Sequence, residues 1–303
     1  MTNAADDVLI RPMRDEDVPV VERLSSTTYL ELDLRTVPRS WPEPEGRSPG
    51  RAEKWVERTR RQLVSDAGGC WVAELATDDG AEIVGFATSQ TRELMWVLSS
   101  YGVRPGLQGR GIGRQLLEAA TYHGRGCLRA MLSASRDPLA VRRYHQAGFT
   151  LHPQMYLAGK VDRSVLPVLE KTREGSAGDI DLMNSVDRQT RGAAHLGDHE
   201  LLLRQYRLVV SDTSTGSGYV YVDGLGSPQL LAATNRRTAT RLLWEALAAS
   251  DPLVNVDISH VTAANSWAVD VGMAARMELH TSGYLALRGM RPPAPYVHHG
   301  ALL

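Results

Sequence analysis

Residues 103–117 read Val-Arg-Pro-Gly-Leu-Gln-Gly-Arg-Gly-Ile-Gly-Arg-Gln-Leu-Leu, a glycine-rich turn between a predicted strand and a predicted helix. Glycine has no Cβ atom, so the glycines at positions 109, 111 and 113 can direct their N–H groups toward one point. The helix start adds N–H groups without intrahelical partners and a partial positive charge. The segment therefore predicts a seat for a pyrophosphate.

Two common phosphate-binding loops do not fit this segment. A dinucleotide-binding loop follows the first strand as Gly-x-Gly-x-x-Gly, whereas this turn comes late in its domain and its glycines are spaced Gly-x-Gly-x-Gly. A nucleotide-triphosphate loop needs Gly-Lys followed by Ser or Thr, which the turn lacks. The pattern indicates a phosphate cradle of another type.

Apolar periodicity on both sides of the turn predicts alternating strands and helices, and therefore an α/β (α+β) fold. The predicted strands of the N-terminal half are 8–12, 70–76, 82–89, 95–103, 128–133 and a strand from 149. The predicted helices are one opening at 14–17, then 52–64, 114–122 and 138–147, and the loop 38–50 is rich in proline and glycine. After a linker the pattern partly repeats, with a strong amphipathic helix at 235–249.

Two motifs give a resemblance to a known family. Gln108 to Gly113 is similar to the (Gln/Arg)-x-x-Gly-x-(Gly/Ala) signature of the GNAT acetyltransferase superfamily. The segment 137–149, which contains Tyr144 and ends in Gly148-Phe149, resembles the second block of that family. The resemblance implies two GNAT-like domains, each a mixed, mostly antiparallel twisted sheet flanked by helices. We expect a catalytic domain at 1–160, a linker at 161–178, a degenerate GNAT-like domain at 179–290 and an extended tail at 291–303.

The resemblance implies acetyl-CoA as co-substrate. The strand before the turn would run along its pantetheine arm, and the backbone amides of the turn would hold its pyrophosphate. The implied cofactor-binding residues are Leu98, Tyr101, Val103, Gln108, Gly109, Arg110, Gly111, Ile112, Gly113 and Arg114.

Tyr144 takes the family's general-acid position, where a protonated hydroxyl can protonate the departing thiolate. The alternative is that Tyr144 only packs against the cofactor. The resemblance also implies the backbone N–H of Val103 as a donor to the carbonyl oxygen. Three options stay open for the general base, because the glutamate of many relatives is missing near Val97. They are Glu93, a water positioned by Ser99, Ser100 or Tyr101, and the carboxylate of Leu303, since tandem acetyltransferases of the enhanced intracellular survival type deliver their C-terminus to the active site.

The acceptor side is predicted from aromatic residues. Tyr29, Trp41 and Trp96, with Trp55 nearby, lie in or near segments that line the acceptor in this family, and aromatic walls can hold a cationic amine. Each is equally open to plain packing. Two further groups are expected to be solvated. One is the basic cluster of Arg58, Arg60 and Arg61, and the other is the polar run of Asp187, Arg191, His195, Asp198 and His199, for which the alternative is that it faces the cleft from the second half.

The second half resembles a domain that has lost the cofactor turn. The segment 226–234 is expected at the cradle position without a Gly-x-Gly, and 265–272 echoes the second block without its tyrosine. We expect this half to shape the acceptor pocket and to brace the first half.

The amino-acid composition limits the classes of binding partner that we expect. Lys and Arg number 34 against 35 Asp and Glu, a net charge of −1, so no strong basic character points to nucleic acid or to a membrane surface. The two cysteines are far apart and no metal is expected. We expect a cytoplasmic monomer or homodimer that acetylates a small-molecule amine. The alternatives are a non-catalytic acyl-CoA sensor and an enzyme acting on a protein amine, which the second domain and tail would hinder.

Overall fold

The protein is described by a computed structural model, which describes residues 8–37, 43–78 and 80–303. Contacts divide the chain into two compact units. The first comprises residues 1–130 and 136–147, and the second comprises residues 131–135 and 148–303. Among the described residues, no helix is long and apolar enough to cross a membrane.

Four antiparallel strands form the framework of the first unit, in the order β1-β2-β3-β4. They are β1 (Val8–Pro12), β2 (Cys70–Thr77), β3 (Gly80–Arg92) and β4 (Met95–Val103). The helices are α1 (Val18–Thr36), α2 (Pro49–Ser65), α3 (Ile112–His123) and α4 (Pro138–Gln146). These confirm the predicted strands and helices of this part of the chain, with small shifts at their ends.

Side chains of β3 alternate between the two faces, as a strand requires. Phe86 packs against the rings of Tyr29 in α1 and Trp55 in α2, with centroids 6.3 and 6.4 Å away. Ser89 faces the other way, and its hydroxyl donates to the carbonyl of Ala120 in α3. Helices α1 and α2 therefore cover one face of β3 and β4, and α3 covers the other.

Strand β4 contains a bulge at Ser99. Thr88 of β3 pairs with Ser100, but the next residue, Ser89, pairs with Leu98, which leaves Ser99 as an extra residue. A bulge bends a strand and re-aims its side chains. Here it directs both Ser99 and Ser100 toward α2, because each hydroxyl contacts a side chain of that helix.

The second unit contains two groups of strands, ordered β5-β12-β6-β11 and β13-β10-β9-β8-β7. The strands are β5 (Arg129–Ala134), whose larger part lies in this unit, β6 (Thr150–Gly159), β7 (Arg173–Glu174), β8 (Arg207–Thr213), β9 (Gly216–Val222), β10 (Pro228–Ala233), β11 (Val256–Thr262), β12 (Glu278–Arg288) and β13 (Tyr296–Val297). The helices are α5 (Ile180–Thr190), α6 (Asp198–Gln205), α7 (Arg236–Ala248) and α8 (Ser266–Ala274). The predicted amphipathic helix is confirmed as α7, which buries Leu242, Leu243, Ala246 and Leu247 completely.

Two features of the second unit differ from expectation. The polar segment around Asp187 forms α5, and Asp187 itself is fully buried. Strand β6, which the sequence analysis assigned to the first domain, pairs with β11 and β12. The sequence gives no local sign of that pairing, because a strand's partners are chosen by non-local contacts.

Candidate active site

The glycine-rich turn adopts the backbone conformation for which its glycines are suited. Gly106, Gly109 and Gly111 have φ angles of +81°, +81° and +87°, the left-handed region that residues with a Cβ rarely adopt. A Cβ atom at any of the three would meet no atom within 4 Å. The glycines are therefore required by backbone conformation and leave open space beside the turn.

Helix α3 begins at Ile112 directly after the turn, and Gly111 is its N-cap residue without any side-chain capping bond. The first N–H groups of a helix have no intrahelical partner, and the helix dipole makes this end electropositive. An uncapped helix start therefore follows a turn with open space beside its glycines, which is an arrangement that suits phosphate groups.

The turn is tied to the end of β4. The Gln108 side-chain amide donates to the carbonyl oxygen of Val103 at 3.2 Å. Two cations lie nearby at the surface, since Arg110 is exposed and Arg114 is exposed beside Glu118, 3.7 Å away. The structure therefore brings the predicted pyrophosphate-binding residues, Gln108 to Arg114, into one turn.

Tyr101 links this turn to Tyr144. A Cβ atom on Gly113 would lie 2.3 Å from the Tyr101 hydroxyl oxygen, so the tyrosine crosses the first turn of α3 where only glycine fits. The Tyr101 and Tyr144 rings are 6.1 Å apart. The two predicted residues, which are far apart in sequence, are adjacent in the first unit.

Tyr144 is held in place by helix α4, which starts with an Asp137 cap that accepts the N–H of Leu139 at 2.8 Å. The Tyr144 side chain is 5% exposed. Burial, with smaller contributions from Tyr101, Tyr29 and Asp137, raises the pKa of Tyr144 well above the usual value of tyrosine. Its hydroxyl is therefore protonated at neutral pH and is a proton donor rather than a base.

The N–H of Val103 points away from β3. Arg104 donates its N–H to the carbonyl of Val84 in β3 at 2.8 Å, and successive N–H groups along an antiparallel strand alternate in direction. The N–H of Tyr101 points to the same side as that of Val103, and it lies 3.2 Å from the Tyr29 hydroxyl. Leu98 is buried and pairs with Ser89.

The predicted acceptor residues Tyr29 and Trp96 lie on opposite faces of the sheet. Tyr29 lies on the α1 and α2 face, with its hydroxyl 3.2 Å from both the N and the O of Tyr101. Trp96 lies on the opposite face, fully buried, and donates its indole N–H to Ala120 of α3 at 3.0 Å. The structure therefore does not bring Trp96 together with Tyr29, and Trp41 is outside the described residues. Trp96 lining the acceptor stays a prediction.

Two candidate bases, Glu93 and Leu303, lie in different units of the chain. Glu93 is exposed in the turn between β3 and β4, at the end of β4 farthest from Val103, and the eight residue steps of β4 span about 26 Å at roughly 3.3 Å each. The structure does not bring Glu93 to Tyr144. Leu303 lies in the second unit, where its backbone oxygen contacts Arg191 and His195. A catalytic role for either residue stays a prediction.

In the second unit, the expected location of a vestigial cradle needs correction. Residues 226–234 do not lie between a strand and a helix, because Gly226 and Ser227 belong to the turn that precedes β10. The strand-to-helix junction is Thr234-Asn235, and the Asn235 side chain accepts the N–H of Thr238 at 2.9 Å. The side chain of Asn235 therefore caps the N-terminus of α7, whereas no side chain caps the N-terminus of α3.

A buried polar cluster in the second unit was not predicted. Asp187 is bonded by His195 Nδ1 at 2.8 Å and by His199 Nε2 at 3.0 Å, and Tyr219 donates to its other oxygen. Burial opposes the ionisation of Asp187, but the charges and hydrogen bonds of His195 and His199 outweigh it and lower the pKa of Asp187 far below its usual value. Arg191 Nη1 contacts His195 Nε2, which places a cation next to the histidine.

The sequence signal for this cluster was available. His195 and His199 have the His-x-x-x-His spacing that the sequence analysis overlooked when it expected no metal, and Asp187, His195 and His199 have ligand-type atoms within 4.8 Å of one another. Each of the facing atoms has a hydrogen-bond partner within the cluster, and the neighbouring guanidinium opposes a bound cation. We interpret the cluster as a buried hydrogen-bonded network.

Comparison with known proteins identifies the family of this domain. Residues 30–149 match the acetyltransferase (GNAT) family model, so the chain contains a GNAT acetyltransferase domain. The sequence has no match among curated proteins.

Solved structures resemble the chain over nearly its full length. A Pyrococcus horikoshii protein described as an acetyltransferase is 18% identical with a TM-score of 0.71, over 98% of this chain and 95% of that one. A GCN5-related N-acetyltransferase from Sphaerobacter thermophilus is 18% identical with a TM-score of 0.58, over 95% and 97%. A tandem GNAT protein from the clavulanic acid pathway is 13% identical with a TM-score of 0.56, over 94% and 99%. At these identities the likeness shows the fold, and the tandem GNAT architecture agrees with the sequence expectation.

Proposed function

We propose that the first unit transfers an acetyl group from acetyl-CoA to the amine of a small molecule. The observation that carries this proposal is the start of α3, which has no side-chain cap and follows three left-handed glycines. The corresponding helix of the second unit, α7, is closed by Asn235. Within the described chain, this contrast supports the first unit as the one that binds the co-substrate.

The residues that would hold acetyl-CoA fit its chemistry. The uncapped start of α3 and the left-handed glycines before it suit the pyrophosphate, and the N–H of Val103, directed away from β3 at the end of β4, suits the pantetheine arm. The Tyr101 hydroxyl lies against Gly113, in the first turn of α3. When bound, the co-substrate supplies an activated acyl group as a thioester, which an amine attacks directly with formation of a C–N bond and cleavage of the C–S bond.

Tyr144 acts as general acid in this proposal. Its hydroxyl is protonated at neutral pH and is next to Tyr101, so it can deliver a proton to the leaving sulfur as the C–S bond breaks. The N–H of Val103, directed away from β3, donates to the carbonyl oxygen as negative charge develops there. A water positioned by Ser99, Ser100 or Tyr101 accepts the proton that the amine loses.

Acceptor-dependent release of CoA thiol tests the proposal and separates it from an acyl-CoA sensor. Purified protein is mixed with acetyl-CoA and a panel of amines, and thiol release is followed with a chromogenic reagent. We expect turnover with at least one class of amine and a fall in kcat of about 10²- to 10⁴-fold in Tyr144→Phe. Tyr122→Phe, which alters an exposed tyrosine at 64% exposure, is the matched control and should keep wild-type turnover.

Two results would contradict the proposal. Binding of acetyl-CoA without amine-dependent release would leave a sensor as the better account. Unchanged kcat in Tyr144→Phe would show that the tyrosine only packs against the co-substrate.

A further inference from the structure

One face of the first unit is polar although it is buried. Where α1 and α2 cover β3 and β4, the contacts include hydroxyl, amide, indole and guanidinium groups. We call this set the acceptor face. It consists of the partly exposed Arg58 and of the buried residues Thr28, Trp55, Gln62, Thr88, Ser99 and Ser100. The bulge in β4 places the last two on this face.

Several polar atoms of the acceptor face lack a hydrogen-bond partner in the described part of the chain. They are the Oγ1 atoms of Thr28 and Thr88, the indole nitrogen of Trp55 and Oε1 of Gln62. Each of these side chains is at most 6% exposed. Buried polar groups are rarely left unbonded, because leaving them so loses the hydrogen bonds that water would provide. These atoms therefore indicate that a polar ligand or its water shell completes the face.

Two guanidinium groups lie on this face. Arg58 donates from Nη2 to the hydroxyl of Ser100 at 3.2 Å. The guanidinium carbons of Arg58 and Arg47 lie 5.8 and 5.5 Å from the centre of the Trp55 ring. Two arginine side chains already lie near the Trp55 ring. This argues against the expectation that an aromatic wall here would hold a cationic amine.

The two cations differ in their surroundings. Arg47 forms an ion pair with Glu22 at 2.5 Å. Arg58 reaches the β4 strand at Ser100, directly before Tyr101, and the Tyr29 hydroxyl contacts the backbone of Tyr101. The Arg58 guanidinium thus contacts the residue that directly precedes Tyr101 of the candidate active site.

We propose that the acceptor is an amine that also carries a carboxylate, as an amino acid does, and that Arg58 and Ser100 bind this carboxylate. The inference rests on the acetyltransferase function proposed above. Guanidinium is the side-chain group that best matches a carboxylate, and Ser100 can donate its own hydroxyl proton while accepting from Arg58. The positive charge also favours the neutral, nucleophilic form of a nearby amine over its ammonium form.

Matched substrate pairs test the proposal. The kcat/KM values for lysine and cadaverine, and for phenylalanine and phenethylamine, are compared, since the members of each pair differ by one carboxylate. We expect wild-type protein to favour the carboxylate-bearing member of at least one pair by about 10- to 100-fold, the range for a hydrogen-bonded charge pair. Arg58→Gln should remove this preference mainly through KM, and Arg58→Lys should keep part of it.

The control is Arg51→Gln, because Arg51 is an exposed arginine of the same helix and should leave the preference unchanged. Acetyl-CoA affinity, measured by calorimetry, should be the same in wild type and Arg58→Gln. If Arg58→Gln does not fold, Ser100→Ala replaces it and should lower the preference for the carboxylate.

The possible results distinguish failure of the carboxylate site from failure of the acetyltransferase function. Amine turnover in which carboxylate-free amines are preferred, or a preference that survives Arg58→Gln, overturns the carboxylate site and leaves the acetyltransferase function standing. Absence of both acetyl-CoA binding and turnover of any amine overturns the function itself.

Discussion

Replacing Gly111 with alanine isolates the contribution of backbone conformation to co-substrate binding. Gly111 has φ of +87°, and a Cβ atom there would meet nothing within 4 Å. The substitution therefore adds no clash and removes no contact with the rest of the protein. Its cost is the left-handed conformation alone, about 1–2 kcal/mol for a residue with a Cβ atom.

The conformational cost of Gly111→Ala should appear as a weaker affinity for acetyl-CoA. The neighbouring Gly106 and Gly109 are exposed, so the free turn of Gly111→Ala can relax toward a conformation that alanine tolerates. Binding then has to restore the left-handed turn, and the affinity for acetyl-CoA should fall by about 5- to 30-fold. The unfolding midpoint should change little.

Isothermal titration calorimetry with acetyl-CoA and thermal unfolding provide the two measurements. Gly126→Ala is the matched control, because Gly126 also has open space around its Cβ position but does not have a left-handed φ. We expect wild-type affinity from the control. Wild-type affinity in Gly111→Ala would refute the reasoning, because the turn would then bind without its left-handed glycine.

Two further predictions concern the second unit. Burial lowers the pKa of His260 from 6.5 to about 4, so the unfolded chain takes up a proton before the folded one and stability is lost as pH falls below about 6.5. Between pH 8 and pH 5 this residue alone should lower the free energy of unfolding by about 2 kcal/mol. The variant His260→Asn should lose that part of the pH dependence, measured from urea unfolding curves. Asparagine is chosen because it tolerates the left-handed φ of 62° at this position. An identical slope in wild type and variant would contradict the prediction. Asn235→Ala should lower the unfolding free energy by about 0.5–2 kcal/mol, because α7 loses its cap, with acetyl-CoA affinity unchanged; a loss of affinity would contradict the assignment of the co-substrate to the first unit.

The elements around the glycine turn could be predicted because their signals are local. A strand, a turn whose glycines face no neighbour, and an apolar-periodic helix follow one another between Met95 and His123, and each is encoded by residues within it. Tyr144 could be proposed only through the family resemblance, since its contact with Tyr101 joins elements far apart in sequence.

The polar interiors could not be predicted, because their burial depends on distant residues. Asp187 and the two histidines were expected to be solvated, but Tyr219 in strand β9 donates a hydrogen bond to Asp187 and completes their network. Arg58 and Arg60 were grouped as one solvated face, yet they diverge on the helix surface. Arg60 pairs with exposed Asp15, while Arg58 reaches Ser100 in β4.

Co-substrate binding by the purified full-length chain tests the central claim most directly. Calorimetric titration with acetyl-CoA should give a single site with an affinity that Gly111→Ala and Gly113→Ala both weaken, the second because a Cβ atom there displaces the Tyr101 hydroxyl. No measurable heat of binding, confirmed by an unchanged unfolding temperature in excess acetyl-CoA, would contradict the account.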